Sequence, residues 1–253
     1  ILTQRIRKVE NGFYPALNEK IHYYDDYDNS FLDSLDYDLQ KAQRIDSRQD
    51  GDLSVDVPLV IAFDANAAIN SLVVSQVKDD RVHRTVKSMY VKTPRKLSEL
   101  CDDFADYYFY HTNKDVVFYY DTTFVHQDAS RSESYADEIV RVLTARGWNV
   151  LPVHVGHPMR HDRKHTEVDK GMKGQPDYLL PMFNRNNTEY LIIAMERTGI
   201  KIDRNGYQKD KSAEKLTDTA ENPDETKTHI TDAWDTNWIG CQYHPQVFSS
   251  SLS

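Results

Sequence analysis

The run Val57-Pro58-Leu59-Val60-Ile61-Ala62-Phe63-Asp64 is the most informative stretch of the sequence. An unbroken apolar run of this length, closed by an acid, is typical of a strand that is buried on both faces of a sheet. The segments 67–77 and 81–91 are also rich in β-forming residues, and they flank the turn-like Lys78-Asp79-Asp80. Residues 57–91 therefore predict a meander of sequential strands, the first of which ends at an aspartate.

A strand, helix and strand pattern follows this meander. Apolar residues at helical spacing predict an amphipathic helix from Lys96 to about His111, and 115–120 is a strand that again closes on an aspartate, Asp121. A capping-box pattern and an apolar stripe predict a helix between Ser134 and Gly147, before a strand over 149–155. Such a unit pairs its strands in parallel, so we predict an α/β fold with a mixed central β-sheet flanked by helices.

The pattern after residue 155 is less regular. The elements predicted there are a helical portion over 176–183, an apolar strand over 190–195, an irregular hairpin over 200–207 and a last helix that ends at Gly240. The start of the last helix stays open between Asn222-Pro223 and Thr228.

Composition excludes several classes of protein. The 253 residues carry a net charge of −9 and are 39% hydrophobic, which fits a folded chain of one or two domains rather than a disordered one. No apolar run approaches the roughly 18 residues that cross a bilayer, so no membrane partner is expected. Cys101 and Cys241 are too few for a disulfide framework, which favours a reducing, cytoplasmic location. The glycine patterns of nucleotide-binding loops and the GxSxG motif of serine hydrolases are also missing from the sequence.

Residues 1–55 differ in texture from the rest. They are rich in Tyr and Asp, and residues 1–60 hold 12 acidic against 7 basic side chains. We interpret 1–55 as an N-terminal extension or linker and 56–253 as one domain. Because the first residue is Ile1 and no signal peptide is recognisable, we expect the chain to be cut from a longer protein. Residues 160–215 reverse the charge to a net +3 and could hold a polyanion locally.

Three aspartates are distinguished by their positions. Asp64 and Asp121 end predicted strands, and Asp232 lies on the predicted last helix. Carboxylates are hard ligands for Mg²⁺ or Mn²⁺, and two such ions promote the attack of water on a phosphodiester. Each acid has a plain alternative, because an aspartate after a strand is commonly a turn or cap residue and Asp232 or its neighbour Asp235 could simply face water. The combination favours a two-metal hydrolytic site.

Short motifs around these acids resemble a known family. Residues 61–69 (Ile-Ala-Phe-Asp-Ala-Asn-Ala-Ala-Ile), 118–121 (Phe-Tyr-Tyr-Asp) and 228–234 (Thr-His-Ile-Thr-Asp-Ala-Trp) resemble the acidic motifs in the nuclease domain of tailed-phage large terminase subunits. That domain belongs to the RNase H-like superfamily, so the resemblance, which spans roughly residues 57–245, implies an RNase H-like sheet. A complete large terminase begins with an ATPase domain, and the lack of a Walker motif agrees with an excised C-terminal part.

The resemblance implies a metal-dependent endonuclease that cuts concatemeric viral double-stranded DNA during genome packaging. In such an enzyme Asp64 bridges two Mg²⁺ or Mn²⁺ ions, Asp121 holds one, and Asp232, which the third motif favours over Asp235, holds the other. The implied partners are DNA, an upstream ATPase domain of the same polypeptide, the portal and the small terminase subunit, all in the cytoplasm of the bacterial host.

The resemblance also implies roles for residues near the acids. Lys209 and Lys211 lie in a segment that resembles a β-hairpin placed near DNA, and they are expected to contact phosphates. His229 precedes Asp232 by one helical turn and is expected to support that acid or to contact phosphate, although a helix-surface histidine with no role is an equal alternative. Glu196, at a predicted strand end, is an outside candidate for an additional acid.

Other interpretations stay open. His157, His161 and His165 recur every four residues after His154 and would share a zinc-binding face on a continuous helix, but Pro158 argues for a DNA-facing loop instead. The same fold could also serve a junction resolvase or an RNA–DNA hybrid nuclease. A non-catalytic alternative is a DNA-gripping or motor-docking module whose acids bind no metal.

Overall fold

The computed structural model describes Val9 and residues 12–26, 45–78, 80–125, 132–203 and 206–246. Within these residues a mixed sheet of seven strands carries helices on both faces, and a two-stranded hairpin stands apart from it. The strands are β1 Tyr23–Tyr24, β2 Leu59–Ala65, β3 Ile69–Val77, β4 Val82–Lys92, β5 Asp115–Tyr120, β6 Asn149–His154, β7 Leu180–Asn184, β8 Ile200–Asp203 and β9 Gly206–Lys209. The helices are α1 Glu19–His22, α2 Leu97–Tyr107, α3 Tyr135–Ala145, α4 His161–Met172, α5 Glu189–Arg197 and α6 Thr228–Tyr243.

The strand order in the large sheet is β1-β7-β4-β3-β2-β5-β6. The strands β4, β3 and β2 pair antiparallel as the predicted meander, while β2, β5 and β6 run parallel to one another. Helix α3 connects β5 to β6, which is the predicted βαβ unit. The sequence prediction of an α/β fold with a mixed central sheet flanked by helices is therefore confirmed.

Alternation along β2 divides its side chains between two packed layers. Leu59, Ile61 and Phe63 pack on the face that α2 and α3 cover. Val60 points to the other face, where it packs with Cys241 of α6. The unbroken apolar run of β2 follows from this double cover, because a strand with helices on both faces has no side chain left to face water.

Helix α6 is fixed closely against the second face. The Nδ2 of Asn237 donates to the carbonyl of Val60 at 3.2 Å, and its Oδ1 accepts from Ser75 Oγ at 2.6 Å. Gly240 lies directly on the ring of Tyr119, where an added Cβ would overlap the ring atoms. These contacts set the distance of α6 from β2, β3 and β5.

Part of the N-terminal segment belongs to the same core. Phe13, Tyr14 and Leu17 are buried among residues of α5 and α6. Strand β1 adds to the sheet edge by pairing Tyr23 with Phe183. The boundary at residue 55 stays a prediction, and the Tyr/Asp run over 27–44 lies outside the described residues.

The predictions for the second half were partly wrong. The segment predicted as helical over 176–183 overlaps strand β7, and the helix lies earlier, at α4. The run 190–195 is part of helix α5 rather than a strand, because a short run that is apolar throughout has no periodicity to separate the two. The last helix begins at Thr228, one of the two predicted starts, and continues past Gly240 to Tyr243.

None of the described helices has both the length and the apolar composition that spanning a membrane requires.

Candidate active site

Asp64 lies at the end of β2, and Asp121 directly follows the neighbouring parallel strand β5. The last register pair of the two strands is Ala62 with Tyr119, and each acid follows that pair by two residues. Neighbouring strands are about 4.8 Å apart, and residues two apart share a face. Both acids therefore belong to the face on which α6 packs.

The first turns of α6 bring two further polar residues to this end of β2. His229 and Asp232 are three residues apart and so lie on one side of the helix. The Nδ1 of His229 is 3.0 Å from Oδ2 of Asp64. The charge of Asp232 contributes to a raised pKa of Asp64, so these two carboxylates are close enough to repel each other.

Burial and charge act against each other at the pair of Asp64 and His229. Burial raises the pKa of Asp64 and the charge of Asp232 adds to the rise, which the hydrogen bond from His229 only partly offsets. Burial lowers the pKa of His229, but the hydrogen bond and the charge of Asp64 outweigh it, so its pKa is raised. The raised pKa of Asp64 and the raised pKa of His229 both favour a proton that stays between the two side chains.

Asn66 is a second partner of the same ring nitrogen of His229. Its Oδ1 accepts from the backbone N–H of Ala68 at 2.9 Å and of Ile69 at 3.0 Å, which fixes the amide. Its Nδ2 lies 2.9 Å from His229 Nδ1. Because one ring nitrogen either donates or accepts, His229 bonds to Asp64 when Nδ1 carries a proton and to Asn66 when it does not.

Asp232 is held by two lysines. The Nζ of Lys209 lies 2.7 Å from its Oδ1, and the Nζ of Lys211 contacts its Oδ2. Burial raises the pKa of Asp232, but the charges of Lys209, Lys211 and Lys164 outweigh burial and hold the pKa well below its usual range. Asp232 is therefore an ionised, internally neutralised carboxylate.

Lys209 extends this ion pair into a buried network. Its Nζ also lies 2.6 Å from Oδ2 of Asp235 and 2.9 Å from Oγ1 of Thr231. Asp235 in turn accepts from the hydroxyl of Tyr14 at 2.8 Å and pairs with Lys164 at 3.3 Å. Asp235, the weaker sequence candidate for a metal ligand, thus faces the interior and not the sheet edge.

The position of Lys209 does not match the expectation that it contacts DNA. Its side chain is 0% exposed, whereas that of Lys211 is 42% exposed. A lysine on a hairpin normally faces water, but here β9 packs against α4, and the Lys209 side chain reaches the buried Asp235 and the largely buried Asp232 of α6, which need a counter-ion. Lys211 is the one of the two that a phosphate could reach.

One oxygen of Asp121 caps its own loop. Oδ1 accepts from the N–H of Thr123 at 2.8 Å and from its hydroxyl at 2.6 Å, at the start of the single turn over 122–124. Asp121 is thus a cap residue, as the alternative interpretation of an aspartate after a strand predicted. The cap also fixes the orientation of the carboxylate directly after β5.

Other groups hold at least one oxygen of each of the three aspartates. Asp64 is on β2, next to the strand β5 that Asp121 follows, and it interacts electrostatically with Asp232. In the described ranges, no three His, Cys, Asp or Glu side chains form a group that could hold a metal ion. The shared binding of cations by all three acids stays a prediction.

Glu196 lies away from these acids. It is in the last turn of α5 and accepts from the hydroxyl of Tyr23 on β1 at 2.9 Å. Strand β1 is at the opposite side of the sheet from β5. Glu196 therefore joins the N-terminal segment to the core.

The histidines of the zinc alternative have separate surroundings. His161 and His165 are on α4, whereas His157 precedes the helix. The Nδ1 of His161 accepts from the N–H of Lys209 at 3.0 Å, and the ring of His165 stacks on Tyr207 with centroids 5.9 Å apart. Their spacing in sequence does not bring them to one point.

No protein-family model and no curated protein matches the sequence. Among solved structures, the large terminase nuclease from the thermophilic phage G20c, solved with bound cobalt, aligns with a TM-score of 0.52 at 10% identity, covering 91% of this chain and 97% of that one. The chain has the fold of a large terminase nuclease. The large terminase nuclease domain of bacteriophage SPP1, with bound Mn, aligns with a TM-score of 0.41 at 13% identity over 71% of this chain and 84% of that one. RuvC of Thermus thermophilus in complex with a Holliday junction substrate gives 0.33 at 11% identity over 74% and 94%.

Within this terminase nuclease fold, sequence analysis missed several residues beside the acids. Asn66 lies inside the quoted motif, and its spacing of two residues from Asp64 was an available signal because both lie at the end of one strand. Tyr14 and Lys164 gave no comparable signal, since their partner Asp235 is distant in the chain and their own segments have no matching pattern.

Proposed function

We propose that the chain is the nuclease domain of a phage packaging terminase, an endonuclease that cuts concatemeric viral double-stranded DNA with the help of divalent metal ions. The observation that carries this proposal is the position of Asp64 at the end of β2, next to the strand β5 that Asp121 follows and in contact with the turn of α6 that bears His229 and Asp232. The terminase nuclease fold supports the same assignment.

The donor set suits hard divalent ions. Carboxylate oxygens are preferred ligands of Mg²⁺ and Mn²⁺, and the raised pKa of Asp64, caused first by burial, indicates a carboxylate short of positive charge. Asp64 and Asp121 would hold the ions. Asp232 would also bind an ion when Lys209 or Lys211 no longer contacts one of the two Asp232 oxygens. When bound, a pair of such ions activates water and stabilises the leaving oxygen of a phosphodiester. The G20c nuclease was solved with cobalt, which supports a divalent ion here.

The cationic side chains around the acids have their own tasks. His229 holds a proton at Nδ1 beside Asp64 and orients that carboxylate. Lys211, half exposed beside Asp232, neutralises a DNA phosphate, a sequence-independent and salt-dependent contribution to binding. Lys209 stays internal and keeps Asp232 ionised. The chain thus supplies cationic side chains directly beside Asp64 and Asp232.

We also propose the partners of this nuclease and the compartment in which it acts. The nuclease follows an ATPase domain in the same polypeptide, works with the portal and the small terminase subunit, and acts in the cytoplasm of the bacterial host. The motif resemblance and the shared fold support this setting.

The test is nicking of supercoiled plasmid in Mn²⁺ and in Mg²⁺. Asp64→Asn, Asp121→Asn and Asp232→Asn should each abolish nicking. Asp106→Asn is the matched control, because it removes the same charge from α2 on the opposite face, where the side chain is 68% exposed. Nicking retained by Asp64→Asn would rule out the site.

Substrate choice and metal binding separate the alternatives. Plain duplex should be cut at least as well as a Holliday junction or an RNA–DNA hybrid, and a strong preference for either of the latter points to a resolvase or a hybrid nuclease. Calorimetric titration with Mn²⁺ should show binding that Asp64→Asn weakens. A chain that binds DNA but neither binds Mn²⁺ nor nicks plasmid is a gripping module.

A further inference from the structure

A cavity of about 290 Å³ opens next to Asp121. It lies between the loop after β6, the first turns of α4 and the last turns of α6, and Asp121 forms part of its wall. This volume is at the lower end of small-molecule pockets, about 300–1,000 Å³, so the cavity is sized for one small group and not for a duplex.

The polar side of the cavity carries positive charge. Arg163 and His157 line it, and across the described ranges neither forms a salt bridge with a protein carboxylate. Lys164 also lines it, but its Nζ is occupied by Asp235 at 3.3 Å. A free guanidinium beside the acidic edge of the sheet is therefore available to an anion from outside the protein.

Much of the remaining lining of the cavity is apolar. Val155, Met159 and Ile239 line it together with the ring of Tyr243. An inorganic anion would satisfy Arg163 and leave this wall uncovered. A ligand that pairs with Arg163 and also covers the apolar side chains has an anionic group joined to a flat or apolar body, as a nucleotide does.

The geometry points to a nucleotide subsite for the cleaved DNA strand, in which one phosphate next to the scissile bond faces Arg163 and His157 and its sugar or base covers Met159 and Tyr243. This inference rests on the proposed nuclease function and deepens it. Because Asp121 belongs both to this cavity and to the acidic edge, a nucleotide seated here would set which phosphate reaches Asp64.

The first experiment measures duplex binding by fluorescence anisotropy with EDTA present, so that it needs no cleavage. Arg163→Ala and His157→Ala should each weaken binding, Arg163→Ala by about tenfold. Arg141→Ala is the matched control, since Arg141 is on α3 on the other face of the sheet and pairs with Glu133 at 2.6 Å. The control should bind as the wild type does.

The second experiment identifies the phosphate. Duplexes that each carry one neutral methylphosphonate linkage are compared in wild type, Arg163→Ala and Arg141→Ala. At one linkage the modification should weaken wild-type binding and Arg141→Ala binding equally, yet have no further effect on Arg163→Ala. Additive effects at every linkage overturn the subsite, as does unchanged affinity of Arg163→Ala.

The two proposals fail separately. If the wild type nicks plasmid but Arg163→Ala binds normally, the nuclease stands and the subsite is wrong. If Arg163 couples to one linkage but no DNA is cut in Mn²⁺, the strand contact stands and the nuclease proposal fails. A chain that binds no duplex overturns both.

Discussion

The ammonium group of Lys209 lies 2.7 Å from Asp232, which makes a side chain of the hairpin a counter-ion of the candidate site. The same group reaches Asp235 at 2.6 Å, so one cation holds two carboxylates of α6 inside the protein. Burial lowers the pKa of Lys209, but the two aspartates outweigh it and raise the pKa. The hairpin and helix α6 are therefore joined by buried ion pairs.

Removing Lys209 should cost more stability than removing Lys211. Lys209→Met leaves two buried carboxylates without their shared partner, and breaking a buried pair in this way costs about 3–5 kcal/mol. Lys211→Met is the matched control, because its side chain is 42% exposed and such pairs contribute about 1 kcal/mol or less. Urea denaturation at pH 7.5 measures both, and equal losses would contradict the buried network.

Strand patterns allowed the fold to be predicted. Asp64 and Asp121 could be placed at strand ends because apolar runs define β2 and β5, which the structure shows to be neighbours in the sheet. Helix α4 could not be found, since Val168 and Met172 are its only apolar side chains and two are too few to show a helical period. The partners of Lys209 could not be found either, because they depend on how β9 packs on α4 and where that places the lysine relative to α6, which no local pattern encodes.

The stability of the chain should depend on the ionisation of Asp50. Burial raises the pKa of this carboxyl to about 6, although Tyr107 and Asn187 donate hydrogen bonds to it at 2.8 Å. The folded state therefore binds this proton more tightly than the unfolded state, whose Asp pKa is about 3.9. The contribution of Asp50 to the free energy of unfolding is highest below pH 4 and falls as the pH rises through about 6.

Asp50→Asn removes this contribution. The free energy of unfolding of the variant minus that of the wild type should rise between pH 4 and 6, by at most about 3 kcal/mol, and level off above. Asn113→Ala, which replaces a half-buried side chain without a titrating group, serves as the control in urea denaturation, because any loss of stability should not change with pH. A difference that is flat between pH 4 and 6 would show that Asp50 ionises normally.

His83 should act in the opposite direction over the same range. Burial lowers its pKa to about 4, and its Nε2 donates to Oδ1 of Asn237 at 2.8 Å. A histidine kept neutral in the folded state contributes stability that is complete above about pH 6.5 and is lost as the pH falls through about 4.

His83→Gln keeps a donor for Asn237 but does not titrate. Relative to the wild type, the variant should therefore gain stability as the pH falls from 6.5 to 4, opposite in sign to the trend expected for Asp50→Asn. Nitrogen NMR of the wild type provides a direct check, since the His83 ring should stay neutral, with its proton on Nε2, at pH 5.5. An imidazolium signal at that pH would be incompatible with the buried contact.

Gly240 should be intolerant of even a methyl group, although alanine is the better helix former by about 1 kcal/mol. A Cβ at this position overlaps the ring of Tyr119, which is 2% exposed and is held by its hydroxyl donating to the carbonyl of His244 at 2.7 Å. Overpacking of this kind costs about 1–3 kcal/mol, so Gly240→Ala should lower stability in urea denaturation.

The same substitution tests whether the spacing of α6 matters to the candidate site. Helix α6 must move off β5 to accept the methyl group, and it carries Asp232 with it, so nicking by Gly240→Ala in Mn²⁺ should fall at temperatures where the variant is fully folded. Tyr119→Leu makes room for the methyl group, and the double variant should be more stable than the sum of the single losses predicts. Strict additivity would mean that the ring and the helix do not compete for space. Recovery of both stability and nicking in the double variant would tie the activity to the distance between Asp232 and the edge that bears Asp64 and Asp121.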